Sequence, residues 1–406
     1  MRAVAYKQLG LADRPFYAVL TGVAFVAGLG LLAAWYMEHN GHWVTGMDNQ
    51  IVWGLPHVFA IFLIVAASGA LNVASIGSVF GQVAYKPMAR LSSLLAIALL
   101  AGGLAVLVLD LGRPDRLVVA MTTYNFKSIF AWNIFLYIGF LAVVAVYLWT
   151  LMERRAKAWS GALGLAAFVW RLALTTGTGL IFGFLVAREA YDAAVLAPLF
   201  VAMSFAFGLA VFVLVLFALY GAQGRPLGSR LVGRLGRLLG IFVAAVLYFV
   251  VVQHLTNLYA AEHVGVERFI LAEGGAVTAL FWVGQVALGG LVPLALLFWN
   301  RAAGPDRRRI ALAAGLVLLG GFAQVYVIVI GGQAYPLALF PGMEVTSSFF
   351  DGRVNGYAPS LWEVMLGLGG CALAAAITLV GLRALRMLPA SLADAALGLE
   401  PADREQ

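Results

Sequence analysis

Between Leu107 and Asn133 the chain reads LVLDLGRPDRLVVAMTTYNFKSIFAWN. Asp110, Arg113, Asp115, Arg116, Asn125, Lys127, Ser128 and Asn133 crowd one connection between two apolar segments. Asp110 begins this cluster while still joined to the apolar run before it. A carboxylate in that position can take up or release a proton, and so can an imidazole such as that of His57 in WGLPHVF at 53–59. A nearby guanidinium or ammonium, as on Arg113 or Lys127, can stabilise oxyanion charge. Together these groups suit a ligand that is an apolar ring with carbonyls at its edges and that takes protons as it is reduced, as a quinone does. Trp132 and Phe130 supply aromatic walls for such a ring.

Each of these residues also has a plainer reading. Asp110 and Arg113 stand at i,i+3 and can form a boundary salt bridge, and Lys127 and Arg116 can be headgroup anchors. His57 can be a hydrogen-bonded packing residue, Asn72 a polar contact between helices, and Glu363 an interfacial carboxylate. Arg171 lies inside an apolar run, where an ionisable group is costly and needs a partner. It is a candidate for a proton path, as are Glu189 and His254.

The elements that must position these groups are membrane helices. Of 406 residues 63% are hydrophobic and 11% charged, with a mean hydropathy of +0.95, whereas a soluble domain carries about 25% charged residues. Ten apolar runs are long enough to span a bilayer, at roughly 16–36, 53–80, 91–111, 129–151, 160–186, 196–222, 237–260, 274–299, 310–331 and 359–384. Backbone polar groups in lipid must be satisfied within the segment, so runs of this length are helices. The expected fold is an all-α integral membrane protein of ten transmembrane helices. Helices 2–5 and 6–9 form two four-helix bundles, flanked by helices 1 and 10.

The division expected along the chain is an N-terminal segment with helix 1 and an outer loop (1–52) and a first bundle carrying the site (53–195). A second bundle (196–331), a long outer loop (332–358), and helix 10 with a loose tail (359–406) follow. The loop is long enough to be functional, and its Tyr335, Phe340, Phe349 and Phe350 argue for order.

The net charge of +7 is a topology signal rather than a nucleic-acid footprint. Taking the termini and the even-numbered connections as one side, 19 Lys and Arg fall there and 6 on the other, with Arg171 inside a helix. The positive-inside rule then puts both termini in the cytoplasm. The outer ends of helices 2 to 5 bring His57, Asp110, Arg113, Lys127, Asn133 and Glu189 to one depth.

The chain is poor in redox ligands of its own. Its single cysteine, Cys371, cannot hold an iron–sulfur cluster. Of five histidines only His57 and His254 lie in spans, without the paired spacing of a haem site. No metal site is expected.

At DLGRP (110–114), NFKSIFAWN (125–133) and WGLPHVF (53–59) the sequence resembles the NrfD/PsrC family of membrane redox subunits. The ten-helix plan and GGQAYPLALFPG (331–342) resemble its longer, HybB-like branch, and within that the DsrP-like subunits of Dsr-type complexes of sulfur metabolism. The resemblance covers most of helices 2 to 10. It implies a quinone (menaquinone or ubiquinone) bound near the outer face of the first bundle, with no haem or iron–sulfur cluster in this chain. It implies a ferredoxin-like iron–sulfur subunit on the periplasmic side, other membrane subunits of a Dsr-type complex, and a bacterial inner-membrane location. Carried onto this sequence, the quinone site comprises His57, Asp110, Arg113, Lys127, Ser128 and Asn133, with Trp132 beside them and His57 and Asp110 as the proton-exchanging pair. Two readings from other classes are a secondary transporter, in which polar groups gather at mid-membrane in broken helices, and a structural anchor for other subunits.

Overall fold

The computed structural model describes residues 4–299, 306–336 and 353–399. Among the described residues ten helices are long and apolar enough to cross a membrane: α1 Asp13–Asn40, α2 Leu55–Ser78, α3 Val83–Leu109, α4 Ile129–Met152, α5 Lys157–Gly183, α6 Leu196–Ala222, α7 Ser229–Tyr259, α8 Ala276–Phe298, α9 Arg307–Ala334 and α10 Leu361–Ala384. The protein is therefore an all-α integral membrane protein. The helix ends follow local chemistry. Pro56 sits in the first turn of α2, where its missing N–H costs nothing. Ser128 caps α4 through Ala131 N. Ser360 and Glu363 form a reciprocal capping box on α10.

Helices α2, α3, α4 and α5 pack in a ring, each against the next, and α6, α7, α8 and α9 form a second ring. The rings meet where α2 and α5 lie on α6 and where α9 reaches α2. The α2–α6 crossing is close because both helices carry glycine there. A Cβ on Gly69 would lie 1.5 Å from the carbonyl oxygen of Ser204, and one on Gly208 would lie 2.0 Å from Gly69 C. This is small-residue packing of the kind that joins helices in lipid. Helices α1 and α10 flank the bundles on the side of the first. Helix α10 packs on α2 and α3, and α1 packs on α10, so both lie against the first ring.

Helix α2 is interrupted at Leu71, between Ala70 and Asn72. Ser92 of α3 patches the break: its Oγ donates to Ala70 O at 2.6 Å and accepts from Ala74 N at 3.1 Å. Asn72 is buried, and its amide nitrogen has no partner among the described residues. It does not act as the interhelical hydrogen bond expected of it.

The segment that follows α10 is not a loose tail as far as residue 399. Leu388–Pro389 pairs antiparallel with Tyr6–Lys7, Leu392 bridges Leu227, and Leu388, Leu392 and Leu397 are buried. Arg90 adds a clasp at this basic end, donating to Leu151 O and Arg386 O. The middle of the expected loop 332–358, including Phe340, Phe349 and Phe350, lies outside the described residues, as do Arg301 and residues 400–406.

Candidate functional site at the end of the first bundle

His57 stands in the first turn of α2, and Asp110 immediately follows the last residue of α3. The two helices run antiparallel and in contact, so these ends meet. His57 Nδ1 lies 2.7 Å from Asp110 Oδ2; the carboxylate side chain is wholly buried and the imidazole is 15% exposed. Neither Asp110 carboxylate oxygen nor His57 Nδ1 makes a hydrogen bond of proper geometry among the described residues, so the two side chains are in close contact without hydrogen-bond alignment. A buried carboxylate oxygen without a donor is costly unless something binds it. Trp53 covers the pair, its ring centroid 6.1 Å from that of His57 and nearly parallel to it. Phe130 and Phe182 pack against the same indole, at 6.0 and 5.8 Å.

The salt bridge expected between Asp110 and Arg113 does not form. The helix ends at Leu109, and Gly112 turns the chain with φ +69°, a conformation open to glycine, so i,i+3 helical geometry is lost. Arg113 instead forks onto Asp115 at 3.0 and 3.1 Å, with both side chains exposed. This pairing raises the guanidinium pKa and lowers that of the carboxyl, chiefly through the hydrogen bonds between them.

Lys127 is exposed. Ser128 serves as the cap of α4. Trp132 donates to Phe126 O at 2.8 Å and packs edge-on against the Phe126 ring, while Phe130 is the ring that meets Trp53. Asn133 is buried and bridges α4 to α5, its amide donating to Ile129 O and Gly177 O.

The remaining candidates lie elsewhere. Arg171 is buried between Phe168 and Phe205, with ring distances of 5.0 and 4.7 Å, and forms no ion pair among the described residues. Its backbone carbonyl accepts from Ser68 and Thr175, and its Nε and Nη1 are without partners there. Glu189 faces the second bundle: His263 Nδ1 donates to its carbonyl at 2.6 Å. Burial raises the Glu189 carboxyl pKa, and His263 opposes that shift.

His254 belongs to a second imidazole–carboxylate pair, in the second bundle. Its Nδ1 lies 2.6 Å from Glu267 Oε2, and Asn257 donates to the other oxygen at 2.9 Å. Here both carboxylate oxygens are engaged, unlike those of Asp110. Among the described residues no three His, Cys, Asp or Glu gather as a metal site.

Several residues beside the site are not evident from sequence. Glu363 is fully buried rather than interfacial. It accepts from Gly46 N and Ser360 N at 2.7 Å and from the Tyr357 hydroxyl at 2.5 Å. Leu55 N, in the first turn of α2, donates to that hydroxyl at 2.6 Å. Burial and the adjacent carboxylate push the Tyr357 pKa well up, so the phenol keeps its proton. Trp53 and Gln333 lie within the stretches WGLPHVF and GGQAYPLALFPG, but nothing in the sequence says that the two meet, and Glu267, beside His254 in the second bundle, carried no motif signal.

Comparison with known proteins agrees with this architecture. The family described as polysulphide reductase, NrfD, matches residues 43–337. An Hdr-like menaquinol oxidoreductase integral membrane subunit of Archaeoglobus fulgidus is 28% identical over 95% of this chain and 97% of its own length. A putative membrane subunit of dimethyl sulfoxide reductase from Halobacterium salinarum is 28% identical over 100% and 98% respectively. A selenate reductase subunit of Mesobacillus selenatarsenatis is 24% identical over 86% and 90%.

Proposed function

Because the chain belongs to the polysulphide reductase NrfD family, we propose that it is the quinone-reactive membrane subunit of a multi-subunit oxidoreductase. The head group binds beside His57 and Asp110. The observation that carries this reading is the buried His57–Asp110 pair, with both carboxylate oxygens free of hydrogen bonds among the described residues, beside the Trp53 ring that Phe130 packs against. A bound quinone supplies two-electron, two-proton redox chemistry. The chain's own part is to hold a ring edge against imidazole and carboxylate and to move protons between them and the outer side. Trp53 and Phe130 line the apolar part and exclude water. Arg113 and Lys127, exposed at the mouth, contribute positive charge there rather than direct contacts.

Electrons leave or enter through an iron–sulfur partner on the outer side, because this chain's cysteine count gives it no cluster. The menaquinol in the name of the Archaeoglobus relative favours menaquinone as the quinone. The 19-to-6 basic asymmetry favours cytoplasmic termini in a cytoplasmic membrane. Partners of the Dsr type, and a place in sulfur metabolism, rest on the sequence resemblance.

The reading is tested by photo-labelling the intact complex with an azido-quinone and mapping the adduct. Label within residues 53–57 or 106–133, competed away by unlabelled quinone, is the expected result. Competable label confined to the second bundle would reject the site.

A further inference from the structure

The head-group site is held in shape from the other bundle. Gln333 lies in the last turn of α9, directly after the π-helical turn Val327–Gly331, a rare geometry that shifts helical register and often marks functional positions. The residue is 1% exposed. Its side-chain oxygen accepts from Val52 N and Trp53 N, both at 3.0 Å. Its nitrogen donates to Trp53 O at 3.0 Å and to Val329 O at 2.7 Å. One amide thus grips both backbone polar groups of Trp53, four residues before His57. The backbone carbonyl of Gln333 is gripped in turn, by Gln50 Nε2 at 3.2 Å and Arg188 Nη1 at 3.3 Å, and Arg188 Nη2 donates to Gln50 O at 2.6 Å.

These bonds are more than general cohesion between bundles. Residues 51–54 form no helix or strand, so their amides have no regular partners of their own. Gln333 supplies them, and the Trp53 indole it fixes is the ring stacked on His57. A neutral amide is the side chain that fits, because the site asks for one acceptor facing two N–H groups and one donor facing two carbonyls. Leucine would remove the partner of Val52 N, Trp53 N and Trp53 O, while Val329 O keeps the Tyr191 hydroxyl, and glutamate would turn an oxygen toward Trp53 O and Val329 O.

We infer that Gln333 is a positioning residue for quinone, setting the Trp53 ring over His57 from the second bundle. The inference rests on the site proposed above. It also ties the end of α9, and so the outer connection that follows it, to the geometry at His57.

The test uses the assembled complex and steady-state quinol kinetics. Gln333→Leu is expected to raise KM for quinol by about tenfold or more, since displacing a positioned group by a fraction of an ångström is costly. Its effect should be strongly non-additive with that of Trp53→Ala. Gln333→Glu should lose activity at neutral pH and regain part of it in acid, where a protonated carboxyl can again donate to one carbonyl. That recovery, which a merely destabilised protein would not show, decides the matter if Gln333→Leu fails to assemble. Unchanged KM in Gln333→Leu, additivity with Trp53→Ala, or no acid recovery in Gln333→Glu would overturn the inference. Asp110→Asn separates the two failures. If it abolishes turnover while Gln333→Leu does not alter KM, only the positioning role falls. If Asp110→Asn turns over normally and the competable quinone label falls only on the second bundle, the site and this inference fall together.

Discussion

Asp110→Asn is the sharpest perturbation of the proposed site. The substitution keeps the size of the side chain and one carbonyl oxygen within the observed 2.7 Å contact with His57. What is lost is the negative charge. With His57 protonated and Asp110 ionised, two unit charges at this distance attract by roughly 6 kcal/mol at an effective dielectric of about 20, before desolvation is counted. Desolvation of the buried carboxylate cancels much of that, and the net worth of a hydrogen bond to a charged group is about 1.5–3 kcal/mol. If that support acts on the transition state, its loss slows turnover by about ten- to a hundredfold. The loss of a proton acceptor adds to this. Stability need not fall through Arg113, because Arg113 is paired with Asp115 and not with Asp110. The assay is quinol-dependent electron transfer by complex whose subunit content is intact, with Arg113→Ala, which removes only an exposed charge, expected to lower turnover much less than Asp110→Asn. Wild-type turnover in intact Asp110→Asn complex would remove the carboxylate from the mechanism.

Three further outcomes follow from the packing and the charges. Gly69→Val places a branched side chain where a Cβ would already sit 1.5 Å from Ser204 O; overpacking of about 1–3 kcal/mol or more should lower the yield and Tm of purified protein, and an unchanged Tm would contradict the tight α2–α6 crossing. Glu267→Gln removes the buried carboxylate that meets His254 and Asn257 and should lower Tm by more than Asn257→Ala does; equal shifts would show that the pair carries no special weight. For Glu189 the sign is set by burial, which raises its folded-state pKa above the ordinary 4.5. The raised value contributes stability that is fully present below the unfolded pKa and is lost as pH rises through the folded one. A Glu189→Gln variant should therefore show a flatter Tm profile above about pH 4.5 than the parent protein, and superimposable profiles would argue against the shift.

The ten spans were legible in the sequence because bilayer thickness sets helix length and lipid forbids unpaired backbone. Each apolar run matches a helix to within a few residues, apart from α3 and α7, which begin at Val83 and Ser229 rather than near 91 and 237. The DLGRP and WGLPHVF motifs also marked residues that meet in space, since adjacent antiparallel helices must bring His57 and Asp110 to one end.

What the sequence left open was pairing. Arg113 at i,i+3 from Asp110 is a salt bridge only if the helix continues, and Gly112 stops it. Glu363 reads as interfacial in a linear pattern, yet the fold buries it under Gly46 and Tyr357. Gln333 and Trp53 lie 280 positions apart. No local periodicity links them, because hydrogen bonds to the backbone of an irregular segment depend on where a distant helix ends. Hydropathy and charge, summed along the chain, determined how many helices there are and which end of each is basic. Which buried polar group finds which partner was decided only when α2, α3 and α9 packed side by side.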